Sequence, residues 1–543
     1  MTFVWRLLLL ALLCVAQARA ESALVLHGGA VYTVDPARPW ASAVVVRDGR
    51  IVFVGDDAGA FVAAGSDART IALNGRMVLP GFQDSHIHPM SGGMRLTRCQ
   101  LGEAGTVEAV YAAVRACASA HPERPWLLGA GWSPQMFGGA GPSRAKLDEL
   151  VPDRPAFLTT PDGYTGWVNS RALAIAGLAA KSGVVDGEAA QRVRAQIPRP
   201  SEAEYRDALR LSTAMANRFG VTSLVDANAS AAIVDAYAAA DRAGELTVRV
   251  VAAQRVDPAI GPAQVDEMVA RRDAARGRRF RADAAKIFLD GEIDRRTAAM
   301  IEPYAGAPAD RGDLLIEART LNAVVRRLEA EGFLIHMHAM GDRAVRVGLD
   351  AIELGAQANG ARDRRHQLAH IGVVDPRDIR RFGALGAAAN FQPLFFDPSD
   401  PATPAAIAVL GPKRARLLYP MASVAAGGGR LLASSDWPAP SMSPFDAIQV
   451  AMTRQPVDGS KPAPQPQERV DLAAMLAAYT INGAWAARED AITGSIEVGK
   501  LADLIVVDRN LFETPVGEIH KARVLLTLLD GAPVYRDPDF AWR

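Results

Sequence analysis

Met77-Val78-Leu79-Pro80-Gly81-Phe82-Gln83-Asp84-Ser85-His86-Ile87-His88 is where the chain changes style. Upstream of it, the short apolar segments 23–26, 30–33, 44–46 and 51–54, the last two separated by Asp48-Gly49, predict antiparallel β-structure. Downstream, apolar runs alternate with stretches of helical period, the pattern of a parallel sheet covered by helices. Predicted strands are 77–83, 126–130, 221–225, 284–289, 333–337, 366–369, 387–391 and 431–433. Eight strands over about 360 residues fit an α/β fold, a (β/α)8 TIM-like barrel with insertions. A predicted helix over 320–330 places Leu321, Val324, Val325 and Leu328 on one face, as a helix on the outside of a barrel requires.

After the eighth strand a Pro-rich loop (Pro456, Pro462, Pro464, Pro466) leads to Asp471, a helix N-cap preceding Leu472, Met475, Leu476 and Tyr479 on one face. Strands at 496–498, 504–507 and 524–529 follow. Because both ends are β and the middle is α/β, residues 21–76 and 491–543 are expected to pair into a small β-sandwich beside a barrel of residues 77–490.

Composition narrows the function classes. The 543 residues are 49% hydrophobic and 22% charged, so a large core is expected rather than disorder. Lys plus Arg and Asp plus Glu number 60 each, which leaves no polybasic footprint for nucleic acid or an anionic membrane. A small-molecule substrate is the expected partner, and a homodimer is left open. Arg6, the apolar run 7–15 and Ala18-Arg19-Ala20 read as a signal peptide cleaved after Ala20. That run is too short to cross a bilayer, which takes about 20 residues. The expectation is therefore an exported protein, periplasmic or secreted, without a stable membrane anchor, in which Cys99 and Cys117 either pair or stay as buried thiols.

The chemistry concentrates in histidine. Six of the nine histidines fall in three groups at ends of predicted strands: His86 and His88, His336 and His338, His366 and His370. Two imidazoles two residues apart on a strand share a face, and neutral imidazoles suit a borderline-soft ion such as zinc. Alone, His-x-His reads equally as two polar strand residues. His338, His370 and Asp436 also end predicted strands, where barrel enzymes carry their active residues. Lys286 lies in an apolar strand, where an unpaired ammonium is costly to bury. No Gly-rich phosphate loop with its lysine occurs.

This order of residues, with Lys286-Ile287-Phe288-Leu289-Asp290-Gly291, Arg296-Thr297-Ala298, His338-Ala339-Met340-Gly341-Asp342-Arg343-Ala344, Ser435-Asp436-Trp437-Pro438 and the terminal Gly494-Ser495-Ile496-Glu497-Val498-Gly499-Lys500-Leu501-Ala502-Asp503, resembles the metal-dependent amidohydrolase superfamily. It is most similar to the amidohydrolase 3 branch, which contains N-substituted formamide deformylase. The resemblance covers residues from about 23 to about 535. It implies one or two divalent ions, zinc being expected. His86 and His88 would hold one ion with Asp436, His338 and His370 the other, and a carboxylated Lys286 would bridge them. Asp436 would be the general acid/base in hydrolysis of an amide, formamide or cyclic imide. The same ligands would also serve an esterase, lactonase or phosphotriesterase, and a metal-holding binding protein is the non-enzyme alternative. His336 and His366 are expected to support the site or belong to the core rather than ligate. Three departures from the branch bear on substrate: Tyr164 where a histidine is usual, Ala369 for a glutamate, and Ser133 for an acid.

Overall fold

In the computed structural model the described residues are 22–541, apart from 103, 139–140, 161–164 and 180–181. The proposed signal peptide and Tyr164 lie outside them. Eight parallel strands form the central sheet: β1 (Phe82–Ile87), β2 (Val221–Ala229), β3 (Arg249–Arg255), β4 (Phe280–Phe288), β5 (Leu334–Ala339), β6 (Gln367–His370), β7 (Ala388–Phe391) and β8 (Arg430–Ala433). Neighbours in sequence are neighbours in the sheet. The last strand curls back toward the first: Asp436 N donates to His86 O at 2.9 Å and His88 N to Trp437 O at 2.9 Å. The result is a nearly closed barrel of the TIM type. Its outer helices bury the predicted stripes. Helix Ala318–Ala330 buries Leu321, Val324, Val325 and Leu328, and in helix Leu472–Ala478 the Asp471 carboxylate caps Ala474 N at 2.7 Å.

Eight was the right count with one wrong member. The predicted strand 126–130 forms as Leu127–Ala130, but it belongs to a separate five-stranded sheet inserted between β1 and β2. Its place in the barrel is taken by Arg249–Arg255, whose flanking arginines disguise a buried strand. The inserted sheet has its own apolar clusters, one around Leu101, Val110, Trp132 and Trp167. A disulfide, Cys99–Cys117, ties its first strand to helix Val107–Ala120, with Cα atoms 5.7 Å apart.

A second correction concerns 77–83, predicted as one strand. It divides at Gly81. Met77–Pro80 lies between Ala30–Tyr32 and Leu504–Val507 in a six-stranded sheet, and Phe82 begins the barrel. A side chain at Gly81 would sit 2.2 Å from Thr222 Oγ1 of β2, so only glycine lets the two sheets approach there. Both chain ends supply that six-stranded sheet. A four-stranded sheet of N-terminal strands lies against it, with Leu26, Val44 and Ile71 in one buried cluster with Val78, Leu504 and Leu526. The expected strand at 496–498 is instead turn and irregular backbone, docked by Ile496 N donating to Thr33 O at 2.8 Å.

Candidate metal centre

Each chemically distinctive side chain stands at the carboxyl end of a barrel strand. His86 is on β1, and His88 follows it as N-cap of helix Pro89–Leu96. Their Nε2 atoms converge on one oxygen, lying 3.4 Å and 3.0 Å from Asp436 Oδ1. His338 ends β5 and His370 ends β6, with ring centroids 4.4 Å apart, and the His370 ring is 4.7 Å from that of His86. One donor atom each of His86, His370 and Asp436 fit within 4.8 Å of one another, close enough to share an ion. The resemblance divided the ligands into two sets, with His370 beside His338; in the structure His370 is in reach of the first set as well.

The backbone is bent to bring these groups inward. His370 and Asp436 have φ of +75° and +54°, and Ile371 has +50°. Left-handed backbone in non-glycine residues persists only where the surroundings enforce it, and it clusters at functional sites. Here the enforcing bonds are Ile371 N to Ala339 O at 2.9 Å and Asp436 N to His86 O at 2.9 Å.

Lys286 sits on β4 in register with His336 and is 1% exposed. Its Nζ lies 4.7 Å from the centroid of the Phe288 ring. Burial, against the attraction of Asp436, Glu292 and Asp226, lowers its pKa to about 7, so at neutrality much of it is a free amine. Burial, reinforced by the positive end of Lys286, lowers His338 to about 3 and holds His86 and His336 well below the ordinary value. For His370, burial and then His338 do the same. All four rings are therefore neutral, the form that binds a cation.

Sequence inspection missed four carboxyl groups around this cluster. Asp84 accepts from His86 N at 3.3 Å and Ser435 N at 3.1 Å, clamping β1 to the end of β8, and burial raises it to about 7. Asp290 accepts from Ala299 N, Met340 N and Gly341 N at 2.8–2.9 Å and is raised by burial to about 8. It fastens the segment after Lys286 to the segment after His338, which gives those two motifs a common physical basis. Asp226, buried at the end of β2, accepts from Tyr237 Oη at 2.9 Å. Glu292, at the mouth of the site, is raised to about 7 by burial and then by Asp294 and Asp436. Asp290 and Glu292 follow a strand, which was the available signal for them, whereas Asp84 and Asp226 lie within β1 and β2.

Of the two histidines expected to support the site or belong to the core, one does each. His336 Nε2 lies 2.8 Å from His86 Nδ1, which leaves His86 Nε2 facing Asp436. His366 is at the opposite end of the barrel, its Nδ1 accepting from Ile335 N at 3.2 Å and its Nε2 3.8 Å from Glu329 Oε2. It has no part in the centre. The Phe395 ring is near the site, 6.3 Å from the His370 ring. Trp132 is core of the inserted sheet, with Nε1 donating to Leu158 O at 2.7 Å.

A barrel of this build, with histidine, lysine and aspartate gathered at its carboxyl end, defines a metal-dependent hydrolase. Residues 69–535 match the Amidohydrolase family, and the chain belongs to it. The chain is 28% identical to Protein LONG AFTER FAR-RED 3 of Arabidopsis thaliana, over 94% of this chain and 91% of that one. It is 27% identical to N-substituted formamide deformylase of Arthrobacter pascens, over 93% and 97%. Among solved structures, an uncharacterized metal-dependent hydrolase from Pyrococcus furiosus superposes with a TM-score of 0.76 at 25% identity, covering 90% of this chain and 99% of that one. No helix among the described residues is long and apolar enough to cross a membrane.

Proposed function

We propose that this hydrolase cleaves a C–N bond in a small amide, formamide or cyclic imide, with His86, His88, Lys286, His338, His370 and Asp436 as ligands of one or two divalent ions, zinc being the expected one. The observation that carries this reading is the approach of His86, His370 and Asp436 to within 4.8 Å, with the imidazoles neutral and a depressed lysine beside them. The donor set fits such an ion: nitrogen and oxygen ligands with no cysteine, suited to a catalytic rather than a closed structural site.

A bound divalent ion supplies activation of water and polarisation of the carbonyl under attack. The remaining work falls to the protein's own groups. Asp436, pointing at His86 and His88, takes a proton from the attacking water at a carboxylate oxygen and returns it to the leaving nitrogen. Lys286 as a neutral amine would add carbon dioxide: the N–C bond forms, one amine proton leaves to solvent, and the neutral side chain becomes a carbamate anion, whose oxygens would help hold a divalent ion. His336 holds the His86 ring through Nδ1. The C–N reading draws on the A. pascens relative, an N-substituted formamide deformylase.

The Cys99–Cys117 disulfide supports export after removal of residues 1–20, since such bonds persist in oxidising compartments. The two end sheets are read as one sandwich domain. A panel of chromogenic amide, ester and phosphotriester substrates tests the chemistry: amide turnover should dominate in metal-replete protein, and a preference for either other class would move the reading to that class. Lys286→Ala should lose metal and activity together, with partial rescue by formate or acetate. Full activity after complete chelation would remove the metal from the mechanism.

A further inference from the structure

Apolar side chains fill much of the barrel at its amino end. Val225, Val251, Ala253, Ala284 and Leu334, from β2 to β5, form one buried cluster with Ala487, the residue after helix Ile481–Ala486. Beside this cluster, between β1, β2 and the helix, the lining turns polar. Gln83, Ser85 and Ser223 border a small cavity there, together with Gly483. It leaves about 10 Å³ for the centre of a water molecule, about the least space that holds one.

Three polar atoms of this lining have no partner in the protein. Gln83 Nε2, Ser85 Oγ and Ser223 Oγ are buried, in residues 2–4% exposed, and none of them bonds to another described residue. Every residue that lines the cavity is itself among the described ones. Buried polar groups nearly always find a partner, in the protein or in ordered water.

The local packing accounts for the unmade bonds. The β1–β2 ladder shifts register twice, between Val221 and Ser223 and again between Leu224 and Asp226. Such irregularities interrupt the ladder and re-aim side chains. From the other side helix Ile481–Ala486 comes close at Gly483, where a side chain would sit 2.5 Å from Gln83 Cβ and 3.1 Å from Ser85 Oγ. Glycine permits that approach and brings no polar side chain to Ser85.

The mixture of groups selects the occupant. The Gln83 amide donates, so the occupant must accept, which a metal cation cannot do. Asp84 and Glu489, also in the lining, oppose an anion. A water molecule both accepts and donates, and about three bonds are usual for one that is buried. We propose that this cavity is an internal water site. The water accepts from Gln83 Nε2 and donates to Ser85 Oγ and Ser223 Oγ, and so ties β1, one residue before His86, to β2 beneath the metal centre. The site does not rest on the reaction proposed for that centre.

A high-resolution crystal structure of the whole protein tests it directly. A density peak should stand within about 3.2 Å of all three atoms. The site is overturned if no peak is there, or if the amide and hydroxyls have turned to bond the protein instead. Contacts to oxygen near about 2.4 Å would also overturn it, because they belong to a bound cation. In solution, oxygen-17 relaxation dispersion counts the waters held inside a protein. Ser223→Val removes one partner and fills the space with methyl groups, so the count should fall by one in variant protein whose circular dichroism matches the wild type. An equal count in that variant overturns the proposal, and the wild-type map decides whether or not the variant folds.

Discussion

The two ends of the barrel bury charge in opposite ways. At the amino end Arg249 Nε lies 2.8 Å from Asp503 Oδ2, and Asp530 accepts from Arg249, Arg278 and Arg279. Nearby, Arg364 Nε meets Glu329 at 2.7 Å, with His366 on the same carboxylate. These carboxylates have arginine partners, and the arginines around Asp530 hold it down to about 2 despite burial. At the carboxyl end burial wins: Asp84 and Asp290 are pushed up and Lys286 down, because counter-charges are too few. A buried charge that the protein has paired belongs to stability. One left short of a partner marks where a ligand supplies the rest.

The largest effect that would break this contrast is at Asp436. Asn keeps the shape and one oxygen but cannot accept a proton at neutral pH. Asp436→Asn should retain most metal while kcat falls by about 10²- to 10⁴-fold. Near-wild-type turnover in a metal-replete Asn variant would move proton transfer to another group at the same end, such as Glu292; His366, at the far end, is excluded by position. Removing charge from the amino end should do the reverse. Asp503→Ala leaves Arg249 with only Asp530 and should cost about 3–5 kcal/mol in denaturant unfolding, the usual penalty for a broken buried pair, with metal content per folded chain unchanged. Loss of metal with unaltered stability would erase the distinction.

A finer test concerns His336, which contacts a proposed ligand without being one. His336→Phe keeps the ring volume and deletes the 2.8 Å contact to His86, so metal affinity measured by competition with a chelator should fall about 10- to 100-fold. An unchanged affinity would make it core.

The smallest effect is in pH. An ordinary lysine titrates at 10.5, and Lys286 at about 7. Its folded pKa lies below the unfolded value, so protonation is disfavoured in the folded state, and between these two pH values metal-free protein loses stability as pH falls. Only the neutral amine adds carbon dioxide. At a fixed concentration of dissolved carbon dioxide, reactivation of metal-free protein should hold steady above about pH 7 and slow about tenfold per pH unit below it. A profile rising up to pH 10 would show an unperturbed lysine and no poised amine.

Sequence alone disclosed the barrel and the clustered histidines because both rest on residue types that burial makes conspicuous: a lysine in Ala285-Lys286-Ile287, paired histidines after apolar runs. It failed where burial is supplied by partners distant in sequence. Arg249–Arg255 looks amphipathic until Asp503 and Asp530 are seen to pair its first residue. Leu127–Ala130 has the apolar profile of a barrel strand, and only its pairing with Ala156–Thr159 assigns it to the inserted sheet. Asp84 and Asp290 resemble turn residues in the sequence, and their backbone partners at Ser435 and Met340 lie far along the chain. His366 shows the converse: four residues before His370, it has the local look of a ligand but stands at the wrong end of its strand.

The division at Gly81 also orders events in time. Met77–Pro80, which leads directly into the strand bearing His86, is completed on one side by Ala30–Tyr32, made before it, and on the other by Leu504–Val507, made more than four hundred residues later. Pairing Leu504 with Pro80 closes a loop of more than four hundred residues, and such non-local contacts form slowly. A chain growing from its amino end therefore carries an incomplete sheet beneath its first barrel strand until Leu504–Val507 have been made. Throughout that interval the apolar edge of Met77–Pro80 is open to pairing with other chains, so the hazard of aggregation belongs to the nascent protein and ends when its tail arrives.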